Sequence, residues 1–64
     1  MSEQANKFIR ISEVMEMTGL ARSTIYKYAR AGSFPATVKI SRRAAAWVEH
    51  EVNEWMAQRM KDRI

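Results

Sequence analysis

Arg22, Ser23, Thr24, Lys27 and Arg30, followed by Lys39, Ser41, Arg42 and Arg43, are the residues of this chain whose types and spacing can do chemistry. None of them suggests bond-making. Guanidinium forks match phosphate and guanine edges, and Ser or Thr hydroxyls donate to the same acceptors. Between Glu16 and Glu49 there is no acidic residue, while Arg22, Lys27, Arg30, Lys39, Arg42 and Arg43 all fall there. The formal charge of the 64 residues is +4 and the sequence pI about 10.0. A scattered excess of that size is ordinary solvated surface. A middle third of one sign, with the acids confined to the flanks, points instead to a polyanionic partner.

The same inventory excludes other classes. With one His, one Asp and two Gly, neither a nucleophilic triad nor a phosphate-cradling glycine loop can be assembled. His50 reads as a surface residue in the first turn of the last helix. Cysteine is absent, so disulfides and thiolate metal sites are excluded. The expectation is a protein that is not an enzyme, with no catalytic residue, metal, cofactor or small-molecule substrate. No apolar run approaches the roughly 18 residues that cross a bilayer, and no signal-peptide core follows Met1. A soluble cytoplasmic protein with no membrane partner is expected, associated with the nucleoid when bound.

Those side chains need elements to hold them. Residues 1–7 are polar and aperiodic and read as a disordered arm, leaving 8–64 as one small domain. Phe8 to Ile11 is an apolar lead-in, with Ile9 and Ile11 on one side if extended. Ser12 stands where a helix N-cap belongs, and Val14 and Met17 mark the inward face of a helix of under two turns. Thr18-Gly19-Leu20 is the break, because glycine supplies a left-handed residue. A second helix runs from about Arg22 to Ala31 and ends at Gly32, with Ala21 a poor cap at its start. With Ile25 inward, Tyr28 and Ala29 share its face; Ser23, Lys27 and Arg30 lie opposite, and Tyr26 lies on the flank. Tyr26 can offer its hydroxyl to phosphate or simply shield the rim of the core.

Phe34-Pro35 imposes an extended turn. Residues 37–40 alternate and are β-branched at three of four positions, so they read as a strand. Residues 41–43 then form a turn and 44–47 the return strand. The three alanines leave open a last helix that begins near Arg43. Otherwise that helix covers about 49–61, with Val48, Val52, Trp55, Met56 and Met60 in one apolar stripe. Trp47 and Trp55 are the two largest core candidates, and the late basics Arg59, Lys61 and Arg63 suit the helix dipole.

Two short helices joined at a glycine turn, followed by a small hairpin, define a mainly α helix-turn-helix fold with a β-hairpin. Such a fold inserts its second helix into the major groove, N-terminus first. Arg22, Ser23 and Thr24 form that leading turn. Lys27 and Arg30 reach the backbone. Lys39 and the tip at Ser41, Arg42 and Arg43 meet the adjacent backbone or minor groove. Double-stranded DNA is the expected partner.

Residues 10–14 (RISEV), 18–26 (TGLARSTIY), 32–35 (GSFP), 38–44 (VKISRRA) with Trp47, and 51–55 (EVNEW) resemble the AlpA family of phage and prophage regulators. The resemblance covers residues 8 to 60, and the stretch from Thr18 to Tyr26 is its most specific part. It implies a compact winged helix-turn-helix related to MerR-like and excisionase DNA-binding domains. It also implies transcriptional regulation, or the direction of prophage excision. The family usually has Ser or Thr where Ala21 stands, and often Gly where Ser41 or Ala46 stands.

Three functions compete on sequence. The first is a sequence-specific transcriptional regulator of phage or prophage type. The second is an excisionase that bends DNA beside a phage integrase. The third is a protein-interaction module using the apolar stripe of the last helix. A single module covers about 600 to 1,000 Å² of DNA, so a dimer, cooperative binding by several copies, or an integrase partner is expected.

Overall fold

The computed structural model describes residues 7–63. In chain order they form β1 (Phe8–Ile9), α1 (Ile11–Thr18), α2 (Arg22–Ala31), β2 (Val38–Ser41), β3 (Ala44–Val48) and α3 (Glu49–Lys61). The sheet is antiparallel with β3 central, in the order β1-β3-β2. β1 pairs Phe8 with Val48 and Ile9 with Trp47; β2 pairs Val38 with Ala46 and Lys39 with Ala45. The expected winged helix-turn-helix is therefore present, with a third, two-residue strand added along the hairpin. No described helix is long and apolar enough to cross a membrane.

One core serves every element except β2. Ile9, Val14, Ile25, Phe34, Trp47 and Val52 are buried together, so β1, α1, α2, the 33–37 loop, β3 and α3 each contribute one side chain. Met17, Leu20, Tyr28, Ala29, Trp55 and Met56 close around them, half-buried.

α1 starts two residues earlier than its sequence suggests. Arg10, extended at φ −92° and ψ 172°, is the N-cap, and its carbonyl accepts from the N–H groups of Glu13 (3.0 Å) and Val14 (3.1 Å). Ser12 is the second helical residue rather than the cap. The helix spans eight residues, slightly more than two turns. Ile11 thus belongs to α1, not to an extended segment shared with Ile9. Gly19 ends the helix at φ 75°, donating its N–H to the Met15 carbonyl at 2.8 Å. Thr18 reinforces the corner: its hydroxyl donates to the Val14 carbonyl (2.8 Å) and accepts from the Leu20 N–H (3.2 Å).

α2 covers the expected residues. Ala21 caps it with extended backbone and no side-chain hydrogen bond, and Gly32 closes it at φ 82°. The 33–37 loop is then pinned by both tryptophans. The Trp47 indole donates to the Pro35 carbonyl at 2.8 Å, and the Trp55 indole donates to that of Ser33 at 2.7 Å.

The strand begins at Val38, not Thr37, and Ser41 is its last residue rather than part of the turn. Residues 44–48 are a strand, so the alternative helix from Arg43 does not form. Pairing on both edges and burial of Ala46 and Trp47 outweigh the helical preference of three alanines. Val48 ends β3 and is the N-cap of α3, not a member of its stripe.

α3 buries Val52 and rests Trp55 and Met56 on the core, but Met60 is 58% exposed and lies outside the apolar contact. Trp55 is a half-buried cover of the core rather than one of its buried pieces. The start of α3 is tied back to the beginning of the fold, where the Glu49 N–H donates to the Lys7 carbonyl at 2.8 Å. The Lys7 ammonium lies 3.9 Å from the carboxylates of both Glu13 and Glu49. Lys7 is thus part of the folded domain; residues 1–6 of the expected arm lie outside the described residues.

Candidate nucleic-acid interface

The helical ladder decides where the cations of α2 go. Burying Ile25 and resting Tyr28 and Ala29 on the core leaves Ser23, Lys27 and Arg30 exposed, at the i, i+4, i+7 spacing of one helical face. Arg22 is exposed at the leading end, while Thr24 is half-buried on the side toward the core. At about 1.5 Å per residue this surface, from Arg22 to Arg30, is about 12 Å long.

Tyr26 rests half-buried against the core, so shielding of the rim is its structural role. Its ring lies 5.7 Å from that of Trp47, and the Arg22 guanidinium stands 5.9 Å above its centroid. Contacts of this kind continue across the molecule. Phe34 meets Trp47 at 6.4 Å and Trp55 at 4.8 Å, both edge-on, and Arg59 covers Trp55 at 4.8 Å.

Lys39, Ser41, Arg42 and Arg43 are all exposed on the hairpin. Ser41 pairs with Ala44, leaving Arg42 and Arg43 as a two-residue turn. Two-residue hairpins favour turns with left-handed residues, the reason glycine is common in them. No described residue other than Gly19 and Gly32 has positive φ, so this tip is built differently. The register slips between Lys39 and Ser41, where Ile40 and Ser41 together face Ala44. That bulge accommodates a turn carrying two arginines and no glycine.

Trp47 joins α2 to the sheet that carries the hairpin. It lies three residues along β3 from Ala44, so the tip extends about 10 Å beyond the place where the sheet meets Tyr26. The sequence marks Trp47 as core, but not as the joint between helix and hairpin. Lys7, which links β1, α1 and α3, carries no signal in the sequence at all. Among the described residues no group of three or more His, Asp or Glu side chains is placed to hold a metal ion. His50 is exposed, with its Nε2 3.2 Å from the Glu54 carboxylate.

A helix-turn-helix flanked by a basic two-stranded wing defines the class: a small winged helix-turn-helix domain. A family model described as prophage CP4-57 regulatory protein (AlpA) matches residues 7–60. The chain belongs to that family. It is 46% identical over 57 residues to the uncharacterized protein ORF88 of Enterobacteria phage P4, an alignment covering 89% of this chain and 65% of the phage protein. It is 32% identical over 66 residues to the DNA-binding transcriptional activator AlpA of Escherichia coli strain K12, covering 94% of each.

Proposed function

We propose that this chain is a DNA-binding transcriptional regulator of phage or prophage type, acting in the cytoplasm as a binding module and not as an enzyme. The carrying observation is that Trp47, on the strand leading from the basic hairpin tip, packs against Tyr26 of the basic helix α2, with no acidic residue from Met17 to Val48. In this reading the N-terminal turn of α2 enters the major groove. Arg22 reads a base edge, Ser23 and Thr24 donate to phosphate or base, and Lys27 and Arg30 follow the backbone. The Tyr26 hydroxyl is a further phosphate donor. Ala21 offers no side-chain oxygen to the first N–H groups of α2, leaving them for a phosphate. Lys39, Ser41, Arg42 and Arg43 meet the adjacent backbone or minor groove.

The relative named as a DNA-binding transcriptional activator supports this assignment. An excisionase working with an integrase would use the same surface, and the placement of its sites, at promoters or at attachment arms, separates the two. The interaction-module reading is weakened because Val52, Trp55 and Met56 are already engaged by the core. Self-association on DNA remains part of the proposal, since one module covers little duplex.

Fluorescence anisotropy on duplex DNA over a salt series is the test. Five or six neutralised phosphates give a slope of log K against log salt of about −5. A flat line overturns the proposal.

A further inference from the structure

We propose that Ile40 is an apolar wedge that enters the minor groove and sets a preference for pairs lacking a guanine amino group. The inference deepens the proposed function and rests on the reading of the hairpin as a DNA-facing wing. A single exposed isoleucine would need no explanation. Ile40 differs in three ways.

It is the extra residue of the β2 bulge, lying between the Lys39–Ala45 and Ser41–Ala44 pairs. Bulges re-aim side chains and release them from the ladder. It is 42% exposed, more than Val38, the other apolar residue of β2, at 37%. Its neighbours Lys39, Ser41, Arg42 and Arg43 are all exposed and polar or cationic. A branched apolar side chain bracketed by cations is complementary to an apolar floor between two anionic rails. The minor groove has that form, about 6 Å wide, walled by sugars and edged by phosphates. Its floor carries only acceptors at A·T pairs, whereas guanine adds a projecting N2 amino group. An isoleucine seated on the floor meets that group as a steric and desolvation obstacle. Apolar residues placed in this way unstack base steps and bend the duplex.

The experiment begins with selection of duplexes from a random-sequence pool by the unaltered chain. In the best-bound duplex, each A·T pair is then replaced in turn by G·C or by inosine·C, which lacks the N2 amino group. Outside the pairs that α2 reads in the major groove, where inosine resembles guanine, the unaltered chain is expected to bind the inosine and A·T duplexes alike. At one or two pairs it should bind the G·C duplex about tenfold more weakly, the lower range of a mismatch. Ile40→Ala should reduce that ratio to less than about twofold, and Ile40→Leu should restore it. Ile40 is exposed, so Ile40→Ala should melt like the unaltered chain.

A retained tenfold ratio in Ile40→Ala overturns the inference, as does an unaltered chain that treats inosine·C as it treats G·C at every pair. If Arg42→Ala weakens binding while Ile40→Ala changes nothing, the wedge alone fails and the DNA-binding wing stands. If no duplex is enriched, both fail.

Discussion

Arg22 and Arg42 are chemically identical, but their settings differ. Arg22 opens a helix that packs on the core and leans over Tyr26, a defined geometry suited to a base edge. Arg42 sits at the end of a hairpin with open surroundings. Arg22→Ala should therefore flatten base preference at one or two positions, a loss of about 1–3 kcal/mol each, when binding is measured against a panel of substituted duplexes. Arg42→Ala should weaken all duplexes evenly and make the salt slope about one unit shallower. The cations of α2 were legible in the sequence because helical spacing around Ile25 divides that helix into two faces. Thr24 was less so: it lies one residue from Ile25, at the margin between those faces, and burial there depends on neighbours from elsewhere in the fold.

At the scale of the elements, the turn between α1 and α2 depends on φ at one residue. A Cβ added at Gly19 would meet nothing within 4 Å, so Gly19→Ala is penalised by backbone conformation alone. A loss of about 1–2 kcal/mol is expected in chemical denaturation. Ala21→Ser should act oppositely, adding about 1 kcal/mol through the missing N-cap bond. Both glycine stops were readable because a left-handed residue has few solutions. Where α1 begins was not, since the Arg10 carbonyl caps it without any side-chain signature. β1 was missed as a strand for a related reason: two residues carry no periodicity, and their partner in β3 is nearly 40 positions away. The fate of residues 44–48 followed from pairing on both edges, a property of the assembled sheet and not of three alanines.

Across the whole molecule, a single side chain holds the helix, loop and wing together. Trp47→Ala should cost about 3–5 kcal/mol, comparable with the total stability of so small a domain, and calorimetry should show no cooperative transition. Trp47→Phe keeps most of the buried surface and removes the bond to the Pro35 carbonyl, so it should fold with a loss nearer 1 kcal/mol from that bond. The Lys7 pairs with Glu13 and Glu49 are solvent-exposed at 3.9 Å and add little to this balance.

Placing one tryptophan inside and the other at the boundary also equips the chain with two distinguishable optical reporters. Trp47, 1% exposed, should emit at shorter wavelength and resist acrylamide; Trp55, half-buried beneath Arg59, should be quenched first. Because Trp47 packs against Tyr26 on the flank of α2, its emission should respond when the duplex arrives, so binding can be followed without attaching a dye.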